Sequence, residues 1–300
     1  MSQTVDWIYL RPPKLSLITP TKKDVLYLID ICSIIRGLYT RRAMEYEIYE
    51  VASGKEYPTK FFYELMDFLK YIGTITRNWK CKPYFVIFYD EGGCIQNRQL
   101  DPDYKKRTFE FDEYDKLRAL LRRHYLQHIP EYFGHIQNVQ IINTKEYECD
   151  FVSLWKKKDD FFHVVLSNDK DLLQVIDDNT VMLTPQNKLF TRENATTKIH
   201  EKVKLDPKYV PLLLAMAGDS ADNIPGCCRG YGYVRCARLI VEAGIPPDPF
   251  SFPQSIDILL RRIGFDTDRL RLNYQLTSFS EQMKRINWDK IETVGGLDDF

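Results

Sequence analysis

Acidic residues recur in short motifs along most of this chain, each where an apolar run ends or a helix is expected to begin. They read VLYLID ending at Asp30, YFVIFYD ending at Asp90, YECD with Glu148 and Asp150, VVLSNDKD with Asp169 and Asp171, and AGDSADNIPG with Asp219 and Asp222. A carboxylate is costly to bury without a partner, so several gathered at the edge of a core need cations among them. Oxygen-only ligand sets suit hard divalent ions, and such sites serve phosphate chemistry.

The elements around these acids follow from periodicity. Apolar or aromatic runs at 25–30, 84–90, 139–142 and 163–167 read as buried strands. Phe61, Phe62, Leu65, Phe68, Leu69, Ile72 and Ile75 form a helical stripe within 60–79, and Leu117, Leu120, Leu121 and His124 mark another helix. A helix is expected from about Glu146. Strands alternating with helices imply an α/β domain with a mostly parallel sheet, whose site lies at the carboxyl ends of its strands. Asp30, Asp90, Asp169 and Asp171 fall at or just beyond such ends. Glu148 and Asp150 sit two apart near the helix that follows 139–142, so convergence of these six is expected. After about residue 200 the strand signal fades into helices, with a Pro-broken loop at 245–253.

Two motifs carry a plainer reading. SNDKD at 167–171 also fits a helix N-cap with first-turn acids. GDSADNIPG at 218–226 also fits an Asp-rich turn, but a Gly230-x-Gly232 pair before a helix exposes backbone N–H groups able to hold a phosphate.

Composition bounds the rest. The chain has 300 residues, 44% of them apolar, enough for one large domain or two modest ones. No apolar run is long enough to cross a membrane, and the first residues lack a secretory pattern. Seven cysteines without a CxxC pair point to a reduced, cytoplasmic chain. Cys227, Cys228 and Cys236 invite a zinc reading, but His200, the nearest histidine, is far upstream. Basic and acidic residues balance at 42 each, which by itself points to no nucleic-acid partner. If many acids serve metal ions, the remaining surface is effectively basic.

Taken in order, VLYLID, VIFYD, DPDYKKR, YECD, LSNDKDLLQVI and GDSADNIPG…GYG resemble the structure-specific 5′-nuclease family. That family includes flap endonucleases, the 5′-nuclease domain of bacterial DNA polymerase I, and phage 5′-exonucleases and RNase H enzymes. The resemblance runs from about residue 24 to 245, and the stand-alone length is similar to that of the phage-type members.

It implies a PIN-like, mostly parallel sheet flanked by helices. A catalytic domain would span 1–200 with a helical arch at about 91–115. A helical duplex-binding region would span 201–300 with a helix-three-turn-helix at about 218–240. It implies two magnesium ions, replaceable by manganese. Asp30, Asp90, Glu148 and Asp150 would surround one ion, and Asp169, Asp171 and Asp219 the other, with Asp222 close by. Lys105 matches a lysine at the scissile phosphate, where it would stabilise transition-state charge. Arg98, Tyr104, Lys106 and Arg107 would meet nucleic acid at the arch, though Lys106 and Arg107 fit a solvated basic loop as well. Gly230, Gly232 and Arg235 would grip the duplex backbone, and the turn would hold a potassium ion through backbone carbonyls.

There are departures from the family pattern. Phe151 follows Asp150 where many relatives have a second aspartate, and Gln96-Asn97 replaces Trp-Arg before the arch. Arg235 falls one position after the expected lysine of the glycine turn. Arg36 replaces a base-stacking tyrosine, with Tyr39 three residues on; it could pair with a phosphate or cover a helix face.

The expected function is a magnesium-dependent 5′-3′ exonuclease or flap endonuclease of DNA replication, primer removal or repair. Its partners would be DNA with 5′ flaps, nicks or ends, and RNA–DNA hybrid. A monomer without a membrane partner is expected, in the host cytoplasm if the origin is a phage. The terminal GGLDDF fits either an unpartnered tail or a peptide that docks a sliding clamp. Two alternatives stand beside this: a PIN-type ribonuclease, and a catalytically silent junction-binding protein of the same fold.

Overall fold

A computed structural model describes residues 13–38, 59–106 and 113–297. Its strands are β1 (Asp24–Asp30), β2 (Lys82–Tyr89), β3 (Val139–Asn143), β4 (Phe161–Leu166), β5 (Thr180–Leu183), β6 (Leu189–Phe190) and β7 (Glu292–Val294). They form one sheet in the order β6-β5-β4-β1-β2-β3-β7, parallel except at the two edge strands. The helices are α1 (Ile31–Leu38), α2 (Thr59–Asn78), α3 (Ile95–Leu100), α4 (Glu113–Phe133), α5 (Val152–Trp155), α6 (Val210–Ala217), α7 (Tyr233–Glu242), α8 (Gln254–Arg262), α9 (Thr267–Thr277) and α10 (Phe279–Met283).

The central strands are apolar on both faces because helices cover both. Val25, Tyr27 and Ile29 of β1 and Phe85, Ile87 and Tyr89 of β2 face one side, packed with Phe62, Leu65, Phe68, Leu69 and Ile72 of α2. Leu26, Leu28, Tyr84, Val86 and Phe88 face the other, with Phe151, Leu172, Val210, Leu214 and Phe279. Helix α6 is buried on nearly every side. Its Leu212, Leu213 and Met216 enter a third cluster with Cys236, Ile240, Leu260, Phe265 and Leu270, which fastens the C-terminal helices to the sheet layer. Among the described residues no helix is long and apolar enough to cross a membrane.

The α/β architecture matches the expectation, with three differences. Strands β5, β6 and β7, of four, two and three residues, are too short to register by periodicity, and β7 (ETV) is exposed throughout. The helix expected from Glu146 is instead a 3-10 turn at Cys149–Phe151 leading into the four-residue α5. Residues 95–106 lie against the loop after α6: Lys105 N–H donates to the Asp222 carbonyl at 2.9 Å, and Asp101 pairs with Arg269 of α9 at 2.5 Å. The rest of the expected arch, 107–112, lies outside the described residues.

Candidate active site

Sheet register brings the first acids together. Asp30 lies opposite Phe88, and Ile29 opposite Leu166, so Asp30, Asp90 and the Ser167–Asp169 segment leave neighbouring strand ends on one rim. Asp30 is buried; it accepts from Ser167 Oγ at 2.7 Å and from the Ser33 N–H at 3.0 Å. Asp90 accepts from the Gly92 and Gly93 N–H groups at 2.9 and 3.1 Å, and Arg122 of α4 reaches it at 3.3 Å.

Glu148 has extended backbone (φ −59°, ψ 132°) just before the 3-10 turn. Its Oε2 accepts from Asn97 Nδ2 and from the Tyr104 hydroxyl, each at 2.8 Å, while Lys105 pairs with Oε1. Lys105 Nζ is also 3.5 Å from Asp222, tying two acids distant in sequence. The loop after α6 is a tight structure closed by Asp219 N–H to Ile224 carbonyl at 2.8 Å. It turns at Gly218 (φ +83°), where a Cβ would collide with the Gly226 amide and Ile224 carbonyl. Asp171, Asp219 and Asp222 each place a carboxylate oxygen within 4.8 Å of the others, and Lys170 pairs with Asp219 at 2.7 Å.

The charge is under-compensated. Burial, then repulsion from Asp169, Asp30 and Glu148, holds the Asp150 carboxyl well above the usual range, with Lys105 opposing. Burial and the neighbours Asp169, Asp222 and Asp219 do the same to Asp171, whose Oδ1 is buried without a hydrogen-bond partner. Asp222 is pushed up to about 6 by burial and by Glu148, Asp219 and Asp169, against the pull of Lys105. Burial would depress the Lys105 amine, but Glu148, Tyr104, Asp222 and Asp150 hold it well above its ordinary value. A site of carboxylate oxygens, one of them orphaned, with three acids driven toward protonation, fits hard divalent cations. Asp171, Asp219 and Asp222 could hold one. Asp30, Asp90, Glu148, Asp150 and Asp169 line an adjoining cleft of about 540 Å³ that could hold another. Asp169 interacts with Asp150 on one side and with Asp171 and Asp222 on the other.

The remaining expected contacts fall into place unevenly. Tyr104, expected at the nucleic acid, is 2% exposed; its ring is core and its hydroxyl serves Glu148 and, at 3.3 Å, Asp222. Arg98 lines the cleft but spends two donors on the Tyr104 and Lys105 carbonyls, at 3.2 Å each, and so holds the Lys105 turn. Lys106 pairs on the surface with Asp103. Gly230 adopts φ +82° and its carbonyl accepts from Arg235 at 2.9 Å, while Gly232 is extended at the start of α7. The Arg36 side chain, Tyr39, Arg107 and the last three residues of the tail lie outside the described residues.

Sequence reading missed Asn97, Arg122, Ser167, Lys170 and Arg285. Ser167 and Lys170 stand inside the SNDKD motif, so proximity to the acids was a usable signal. Asn97, Arg122 and Arg285 arrive through tertiary packing and carried none.

No protein-family model matches the chain. It is 29% identical over 280 residues to a 5′-3′ exonuclease of Buchnera aphidicola from Schizaphis graminum, covering 90% of this chain and 88% of that protein. It is 24% identical over 224 residues to a 5′-3′ exonuclease of Aquifex aeolicus, covering 73% and 70%. Its fold superimposes on the bacteriophage T5 flap endonuclease, solved as a pseudo-enzyme-product complex with DNA and metal ions. There the TM-score is 0.63 at 16% identity, over 88% of this chain and 94% of that one.

Proposed function

We propose that this chain is a member of the 5′-nuclease family and a magnesium-dependent phosphodiesterase acting at 5′ ends, nicks or flaps beside duplex DNA. The observation that carries this reading is the convergence of Asp30, Asp90, Glu148, Asp150, Asp169, Asp171, Asp219 and Asp222 around Lys105, with three of the acids held above their ordinary pKa. Asp30, Asp90, Glu148 and Asp150 are assigned to one ion and Asp169, Asp171 and Asp219 to the second, with Asp222 supporting. When bound, two such ions lower the pKa of an attacking water and neutralise the phosphate. Magnesium suits an all-oxygen site whose shell is completed by water and substrate phosphate, and manganese would substitute.

The chain's own residues supply the rest. The Lys105 side chain is 33% exposed at the cleft, and its ammonium is the donor assigned to the scissile phosphate. Asp30 and Asp90 are held by fixed donors from Ser167, Ser33, Gly92 and Gly93, so they meet a cation without rearranging. Residues 1–200 would form the catalytic domain. Residues 201–300 would hold the duplex through the helix-three-turn-helix at about 218–240, by the N–H groups of Gly230 and Gly232 and by Arg235, with potassium at the turn carbonyls. Such backbone contacts set position without reading sequence. Replication, primer removal or repair, and cytoplasmic work as a monomer, complete the proposal.

The test is cleavage of a 5′-labelled flap, a nicked duplex with a DNA or RNA 5′ strand, and free single-stranded RNA, each with and without magnesium. Metal-dependent product from the first two substrates only supports the reading. Cleavage of free RNA would favour a PIN-type ribonuclease, and binding without product a silent junction protein.

A further inference from the structure

Arg285 lies in the turn after α10, far from the acids in sequence. Its guanidinium donates to the Gln275 carbonyl at 2.9 Å, to the Glu281 carbonyl at 3.2 Å and to Asn97 Oδ1 at 3.0 Å. Gln96, beside Asn97, donates in turn to the Arg285 carbonyl. The first two bonds tie α9 to α10 and are structural. The third has a consequence at the acid cluster.

A guanidinium can only donate, so Asn97 can offer it only its amide oxygen. Its NH2 group is thereby turned to Glu148, where Nδ2 sits 2.8 Å from Oε2. Asn97 is 4% exposed, so water does not compete for either end of the amide. With the Tyr104 hydroxyl also on Oε2, that oxygen is occupied twice, and Oε1 is the one left to Lys105 and the cleft. From this geometry we infer that Arg285 is a positioning residue, which acts through Asn97 to make Glu148 present a single oxygen, Oε1, to a divalent cation.

This rests on the proposed metal-dependent reading. Partners that orient a ligating carboxylate are worth about 10–100-fold in metal affinity. The test is magnesium and manganese binding to the full chain by calorimetry and manganese spin-resonance titration, without substrate, for Arg285→Met, Arg285→Lys, Asn97→Asp, Asn97→Leu and the Arg285→Met/Asn97→Leu pair. Melting temperatures in chelator identify variants that fail to fold. Arg285→Met is expected to weaken one class of site by about 10-fold or more. Arg285→Lys, which keeps a donor, should recover part of that loss. Asn97→Asp, which sets an oxygen against Oε2, should weaken the site at least as much as Asn97→Leu. The double variant should bind like Asn97→Leu alone.

Unchanged metal affinity in a folded Arg285→Met protein, or additive losses in the double variant, would overturn the relay and leave Arg285 a structural tie. If Arg285→Met does not fold, Asn97→Asp against Asn97→Leu decides the matter. Failure of the wild type to bind either metal would instead sink the metal-dependent reading itself.

Discussion

Lys105 and Asp222 are joined twice: the Lys105 N–H donates to the Asp222 carbonyl at 2.9 Å, and its ammonium lies 3.5 Å from the Asp222 carboxylate. Lys105 adopts φ +48°, a left-handed conformation that a non-glycine residue holds only when its surroundings fix it. Here the fixing comes from Arg98 on the adjacent carbonyls and from Asn223, which donates to the Asp103 carbonyl at 3.2 Å. The segment following α3 is thus locked to the loop that carries Asp219 and Asp222, and the Lys105 ammonium enters the acid cluster between Glu148 and Asp222.

Lys105→Met keeps the length of the side chain and removes the charge. Single-turnover cleavage of a 5′ flap should slow by roughly 100–1,000-fold, the usual effect of losing one preorganised donor at a developing anion. Equilibrium binding of the flap should change far less, because the ammonium meets one phosphate among many. Equal losses in rate and binding would show that Lys105 serves affinity rather than chemistry.

Asp222 gives a pH signature. Its folded pKa of about 6 lies above the unfolded carboxylate value, so the folded state binds the proton more tightly. That contribution to stability is fully present below about pH 4 and is lost as pH rises through about 6. Asp150 and Asp171 shift in the same direction. In chelator the melting temperature should therefore fall between about pH 4 and 6, and saturating magnesium should flatten that slope. Asp222→Asn should stabilise the chelated protein at pH 7 by at most ~3 kcal/mol, the equivalent of about two pKa units. A chelated melting temperature that rises over that interval would contradict this account.

Legibility in the sequence followed the physics of each part. Strands β1 to β4 were readable because a strand buried on both faces is apolar over most of its length, and Asp30 and Asp90 announced themselves by ending such runs. Glu148 was readable as a residue but not as a geometry, since its place before a 3-10 turn, not in a helix, is set by Phe151 packing against the sheet. Tyr104 was misassigned to the nucleic acid because an aromatic in a basic stretch looks exposed; its burial comes from Ile224 and Leu276, residues distant in the chain. Arg285 and Asn97 are 188 residues apart, and no local pattern could have joined them.

Asp171 separates chemistry from binding. Its carboxylate has one buried oxygen without a partner and three acidic neighbours, so its charge is costly unless a cation takes it up. Asp171→Asn keeps the shape and removes the charge. Flap cleavage under magnesium should drop by on the order of 1,000-fold or more, which corresponds to ~4 kcal/mol of barrier. Flap affinity by fluorescence anisotropy should hold or improve, since the phosphate meets one fewer negative charge. Turnover at the wild-type rate would remove Asp171 from the metal set.

Gly93 tests whether the strand-end turn and the Glu148 turn must touch. Its N–H holds Asp90 Oδ1 at 3.1 Å, and a Cβ there would run into the Tyr147 carbonyl and the Glu148 amide. Both obstacles are backbone, so neither can swing aside, and Gly93→Ala must push the loop carrying Asp90 away from the turn carrying Glu148. We expect a loss of roughly 1–3 kcal/mol in stability, the usual cost of overpacking. Weaker magnesium binding should accompany it, because two acids on opposite sides of the cleft lose their spacing. Gly73→Ala, within α2, is the matched control. A Cβ there meets only the flexible Arg77 side chain at 3.5 Å, and the helix should gain ~0.5–1 kcal/mol with no change in metal affinity. Thermal melts of both variants, in chelator and across a magnesium titration, read the two effects separately. A Gly93→Ala protein with wild-type stability and metal midpoint would mean that the two turns tolerate separation and that contact between them does not set the site.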